Sequence, residues 1–182
     1  PWGMVTNGLA LDEKRFARLL RAGLHSITVS LDGFREDHNY LRGSEKSYDA
    51  ALRAVRLTAH EPTIASDGVT ARSLGRLPEF REMLIAEGVR SWRLFTIFPL
   101  GRAAQDPSLQ LDDEQFTRLM EFIRDTRKEG RIRASYGCEG FLGGYETEVR
   151  DNFYQCNAGV SVASIRVDGA ISGCTSIRAD YN

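Results

Sequence analysis

The stretch Leu24-His25-Ser26-Ile27-Thr28-Val29-Ser30-Leu31-Asp32-Gly33 decides the fold. Ile27, Val29 and Leu31 fall on one face and Ser26, Thr28 and Ser30 on the other, the period-two pattern of a β-strand. In a parallel barrel the apolar face meets the helices and the second face lines the interior, so these three hydroxyls predict a polar lumen. Asp32 continues the polar parity, and with Ser30 it falls at the carboxyl end of the strand, where barrel enzymes carry out their chemistry. Asp32 also has a purely local reading, as the turn residue of Asp32-Gly33 whose carboxylate bonds nearby amides.

Outward from this strand, strand and helix signals alternate. Residues 3–6 read as a strand tail broken by Asn7-Gly8. Asp12 caps a helix with Phe16, Leu19 and Leu20 on its apolar stripe, and Gly23 ends it. Ser47 is expected to cap a second helix that carries Tyr48, Ala51, Leu52, Val55 and Ala59 at helical spacing. Residues 63–70 and 92–98 read as strands and residues 78–87 as a helix, while Asp112 and Gln115 form a capping-box pair before Phe116, Leu119, Met120 and Ile123. About four strands joined through helices imply parallel pairing with right-handed crossovers, hence an α/β sheet or partial barrel over residues 1–130. From 131 to 182 the texture turns Gly-rich and aromatic, and Asp168-Gly169 between two short apolar runs predicts a hairpin in a small β-rich module.

The 182 residues carry 24 Lys and Arg against 25 Asp and Glu, a formal charge of −1. That balance argues against a nucleic-acid partner or a polybasic membrane anchor. No apolar run reaches the roughly 18–20 residues of a membrane span, so the expected setting is cytoplasmic. Three cysteines, Cys138, Cys156 and Cys174, are spaced 18 residues apart without a C-x-x-C. An odd number disfavours a disulfide framework and leaves buried thiols or metal ligands.

Several short motifs, in order along the chain, resemble one family. Val29-Ser30-Leu31-Asp32-Gly33 followed by His38-Asn39-Tyr40-Leu41-Arg42-Gly43 resembles the "SLDG" turn and "H-x-x-x-R-G" segment after the fourth barrel strand of radical S-adenosylmethionine (SAM) enzymes. Thr6-Asn7-Gly8 is similar to the end of their third strand, and residues 94–103, ending Pro99-Leu100-Gly101-Arg102-Ala103, to their sixth strand and following loop. Cys156-x12-Gly169-x4-Cys174 resembles the opening of the SPASM extension, which holds auxiliary iron–sulfur clusters. The ordered set is most similar to the branch of pyrroloquinoline-quinone-synthesis-like maturases.

The resemblance implies SAM and a [4Fe-4S] cluster as cofactors, auxiliary iron–sulfur clusters, hydrogen abstraction by a 5′-deoxyadenosyl radical, and a reductant such as a flavodoxin or ferredoxin. It also implies a peptide or protein substrate. It assigns the ribose to Ser30, the methionyl carboxylate to Arg42, the adenine to Phe98 or Leu100, and further cofactor contacts to Asn7 and Asp32. A guanidinium fork suits planar carboxylate recognition better than an ammonium. Cys156 and Cys174 would be auxiliary-cluster ligands, with Cys138 either a third ligand or an unligated thiol. One departure is large: no C-x3-C-x2-C run for the catalytic cluster occurs in these residues. A fragment clipped at both ends, itself inactive, accounts for that; a degenerate relative is the other account. The alternative from a different class is a non-catalytic iron–sulfur or zinc-binding redox module on an α/β scaffold.

Overall fold

The computed structural model describes residues 2–59, 63–137 and 140–174. The chain divides into two compact units, residues 1–152 and 153–182. The compositional change near residue 131 therefore does not coincide with the break between units.

The first unit is built on a five-stranded parallel sheet in sequential order: β1 (Trp2–Thr6), β2 (Leu24–Ser30), β3 (Thr63–Val69), β4 (Ser91–Thr96) and β5 (Arg133–Tyr136). Helices α1 (Glu13–Arg21), α2 (Arg35–Arg42), α3 (Ser47–Thr58), α4 (Leu77–Ala86) and α5 (Asp113–Glu129) fill the connections. The α/β partial-barrel expectation is borne out. Four strands were expected in the sheet and five form it; the extra one, β5, is only four residues long.

The alternation in β2 sets the layers. Ile27, Val29 and Leu31 are at most 1% exposed and face the helices, whereas Ser26 and Ser30 on the other face are half-buried. The helix-side core continues through Val55, Ala65, Leu84, Leu94, Met120 and Ile123. At its centre Trp92 meets Phe80 edge-on at 5.8 Å and Phe122 at 5.7 Å. Each such pair adds about 0.5–1.5 kcal/mol beyond the area it buries.

The helix ends follow from their sequences. Asp12 Oδ1 accepts the Arg15 N–H at 2.7 Å, and the Asp112–Gln115 capping box is complete in both directions. Ser47 departs from its expected role: α3 begins at Ser47, but Lys46 is its N-cap and no side chain caps it. The reason is competition, because the Ser47 hydroxyl pairs with the buried His38 ring at 3.0 Å.

One residue violates the apolar pattern of the helix side. Asp67, between Ala65 and Val69 on β3, is fully buried, and neither carboxyl oxygen has a hydrogen-bond partner among the described residues. Burial raises its pKa well above the usual carboxylate value, and the charge of Asp32 raises it further.

The second unit contains a two-stranded antiparallel hairpin, β6 (Ser164–Ile165) and β7 (Ile171–Ser172), turned at Asp168-Gly169 as the dipeptide predicts. No helix among the described residues is long and apolar enough to cross a membrane.

Asp67 carries a pH signature. A carboxyl whose folded pKa is raised stabilises the fold most at acid pH, and that contribution is lost as pH rises from the unfolded value near 3.8 towards the folded one. Asp67→Asn is therefore expected to gain stability relative to wild type between pH 4 and pH 7, read from urea midpoints. A stability difference that stays constant over that range would show that Asp67 is charged in the folded protein.

Candidate functional site

The site is built around the carboxylate of Asp32, 2% exposed and just beyond the end of β2. Its Oδ1 accepts the Gly68 N–H of β3 at 2.8 Å, and its Oδ2 accepts Arg42 Nε at 2.6 Å. The local turn reading of Asp32 thus gives way to a long-range one, since the amide it takes lies 36 residues away. Gly68 eases this approach: a Cβ there would crowd Asp32 Oδ1 at 3.3 Å and displace the Ile97 side-chain end.

His38 and Arg42 stand one helical turn apart on α2, so both reach back to the same carboxylate. His38 is 1% exposed, and its Nδ1 accepts the Asp32 backbone N–H at 2.9 Å. A ring that accepts at Nδ1 carries its proton at Nε2, which donates to Ser47 Oγ. Asn39 adds a second tie, accepting the Tyr48 N–H and donating to the Glu45 carbonyl. Two buried side chains thereby fix α2 to the start of α3.

The charge of Asp32 is well supported. Burial opposes ionisation, but the Arg42 guanidinium and the Gly68 N–H outweigh it and hold the carboxyl below its usual range. Arg42 is about one-third exposed and, among the described residues, is anchored through Nε alone, which leaves its two terminal nitrogens for a ligand. The pair is thus a positioned guanidinium rather than a surface arginine.

The other expected residues fall at different distances from this centre. Ser30 lies two residues before Asp32, on the polar face of β2, and pairs in register with Ser66 of β3. Asn7 lies beyond β1 and uses Oδ1 to accept the Leu9 N–H, a local turn role. Phe98, half exposed, lies in the loop after β4 and lines a hollow of about 430 Å³ with Tyr40 and Leu100. Cys156 and Cys174 belong to the second unit and form no disulfide. There the Gly159 N–H donates to the Gly173 carbonyl at 2.9 Å, so the turn after Cys156 lies against the segment that ends at Cys174. The Ala158 N–H and the Tyr154 hydroxyl hold the Cys156 thiol below its usual value. Cys138 lies outside the described residues. Sequence reasoning assigned no site role to His38 or Gly68 and read Ser47 only as a helix cap; the i, i+4 spacing of His38 and Arg42 was the available signal for the first.

Removing the hub carboxylate tests this geometry. Asp32→Asn is expected to cost about 1–3 kcal/mol at pH 7, where Arg42 loses its counter-charge. Because the folded pKa of Asp32 is depressed, its contribution is present above the usual carboxylate value and lost as pH falls through the folded value. The destabilisation should therefore shrink in acid; a loss that is the same at pH 7 and pH 3 would refute the ionic role.

No protein-family model matches the chain. It is 25% identical over 138 residues to an AdoMet-dependent heme synthase of Methanosarcina barkeri (strain Fusaro), covering 74% of this chain and 39% of that protein. A second AdoMet-dependent heme synthase, from Oleidesulfovibrio alaskensis, is 23% identical over 72% of the chain and 35% of its own length. An Fe-coproporphyrin III synthase of Methanosarcina barkeri is 27% identical over 68% of the chain and 32% of its length. The chain thus spans less than half the length of these relatives. Among solved structures, anSMEcpe with bound AdoMet shares the fold, with a TM-score of 0.58 at 18% identity over 74% of this chain and 37% of that one. In sequence the chain is thus similar to proteins named for AdoMet-dependent heme synthesis and Fe-coproporphyrin III synthesis, and in fold to a structure with bound AdoMet.

Proposed function

We propose that this chain supplies the AdoMet-orienting strands of a radical SAM enzyme. The observation that carries the reading is the Asp32–Arg42 pair, which holds a guanidinium by its Nε at a carboxylate two residues beyond Ser30, the last residue of β2. A fixed cationic fork suits the AdoMet carboxylate, a strand-end hydroxyl suits the ribose diol, and the half-exposed ring of Phe98 offers an apolar surface for adenine. Asn7 and Asp32 complete the proposed set, Asp32 acting through Arg42 and Asn7 by shaping the end of β1.

The [4Fe-4S] cluster that such chemistry needs does not fit the residues present. The sequence lacks a C-x3-C-x2-C run, and no group of three or more His, Cys, Asp or Glu able to hold a metal ion occurs among the described residues. No step is assigned to a cluster from this chain. Cys156 and Cys174, with Cys138, are proposed as a partial ligand set for an auxiliary cluster. Reductive cleavage of AdoMet would require a polypeptide that also carries the three-cysteine loop and a reductant such as a flavodoxin or ferredoxin, in a cytoplasmic setting.

Two substrate readings follow. The sequence resemblance favours a peptide or protein. The relatives are named for synthesis of heme or Fe-coproporphyrin III, which favours a tetrapyrrole that carries carboxylates.

The AdoMet reading is tested by calorimetric titration of the 182-residue chain. Arg42→Gln is expected to weaken AdoMet binding at least tenfold and Ser30→Ala severalfold, with Arg42→Lys between wild type and Gln. Wild-type-like affinity in Arg42→Gln, or no binding by the wild-type chain, would overturn the assignment.

A further inference from the structure

Parallel strands in sequential order with right-handed crossovers keep the crossover helices on one face of the sheet. On the opposite face the register aligns a row of polar side chains. Ser30 of β2 pairs with Ser66 of β3, Ser66 with Arg93 of β4, and Arg93 with Ser135 of β5. Neighbouring strands lie about 4.8 Å apart, so Ser66 and Ser135 flank the Arg93 side chain from either side. Arg93 is exposed, whereas Trp92 and Leu94, before and after it, are fully buried against the helices.

The fold makes no use of these polar groups. Among the described residues Arg93 forms no hydrogen bond and no ion pair, while Arg133 on the same face is held by Asp151. Ser66 is only 8% exposed and Thr28, which shares the face, only 9%, yet neither hydroxyl has a hydrogen-bond partner among the described residues. Hydroxyls buried to that degree are ordinarily satisfied. No Asp or Glu falls on this face of β1 to β5, so the Arg93 charge has no counter-ion there. Towards the strand ends the row is bounded by Phe95, whose ring lies against Gly68, in contact distance of the position a Cβ would take. An apolar wall on that side shields the donors from water and strengthens what they hold.

The donor set selects the shape of its ligand. A carboxylate has two oxygens in one plane, and one edge of a guanidinium satisfies both, which would leave the flanking hydroxyls idle. A tetrahedral oxyanion turns oxygens in three directions, so that a guanidinium edge and a hydroxyl on each side can all be engaged. We infer that Ser66, Arg93 and Ser135 form an anion subsite for a ligand that carries a phosphate or sulfate group, with Arg93 as its principal binding residue. The inference goes beyond both substrate readings above, since neither a peptide nor a tetrapyrrole brings a tetrahedral oxyanion of its own. Arg42 takes no part in it, and Ser30, next in the row, stays with the ribose.

Phenyl phosphate, phenyl sulfate and benzoate share a ring and differ in the anion. The 182-residue chain is titrated with each by ligand-observed NMR, and with AdoMet by calorimetry in the same preparations. One or both of the tetrahedral probes should bind at least severalfold tighter than benzoate, and the tighter of the two names the source of the group. Arg93→Gln is expected to weaken that probe at least tenfold and leave AdoMet affinity unchanged. Ser66→Ala and Ser135→Ala should each weaken it severalfold, and Arg93→Lys, which keeps the charge without the fork, should fall between wild type and Gln. Because Arg93 has no partner in the fold, its variants are expected to unfold at the wild-type urea midpoint. Benzoate binding as tightly as both tetrahedral probes, no binding of any probe, or wild-type affinity in Arg93→Gln would overturn the inference. Failure of the AdoMet reading appears separately, as an AdoMet affinity that does not respond to Arg42→Gln.

Discussion

A buried carboxylate organises this molecule. Asp32 sits where β2 ends, and its oxygens are satisfied by an amide of the neighbouring strand and a guanidinium of the following helix. Desolvating a carboxylate costs several kcal/mol unless it is paired and hydrogen-bonded. The surrounding residues are therefore constrained together: Gly68 gives its amide to Oδ1, His38 accepts the Asp32 amide, and Arg42 projects from the same face of α2 as His38. The hydrogen bond from His38 to Ser47 extends the constraint to α3. Strand, helix and next strand are fixed to one another by a few polar atoms in an otherwise apolar layer.

The layer arrangement was legible because period-two alternation in β2 is a direct consequence of strand geometry. The parity that put Ile27, Val29 and Leu31 against helices is the parity observed, and Asp168-Gly169 turns the hairpin it suggested. Short elements were less legible. Helix α2 has eight residues, most of them polar or charged, and its stability comes from buried His38 and Asn39 rather than from an apolar stripe. Strand β5 has four residues and no alternation long enough to count. Ser47 shows the limit of local rules: a serine at a helix start is a good cap, until a buried imidazole nearby offers the hydroxyl a partner that water cannot reach.

Side-chain roles at the site divide in the same way. The sequence resemblance marked Asp32 and Arg42, and the structure brings them into contact. It marked Asn7 as well, whose side chain serves a local turn. Asp67 was visible only as an acidic residue at a core parity, and nothing in its neighbours along the chain announces that it is fully buried near the Trp92 indole without a hydrogen bond of good geometry among the described residues.

The neutral state that burial favours for Asp67 has an electrical consequence. Burial pushes Asp67 towards its neutral form and Asp32 is paired with Arg42, so these two buried carboxyl groups add little uncompensated charge beneath the strand ends. A ligand arriving there is drawn by little long-range field, and what it meets is direction: a few N–H groups held at fixed angles. Recognition at such a place depends weakly on ionic strength and strongly on the geometry of the donor atoms.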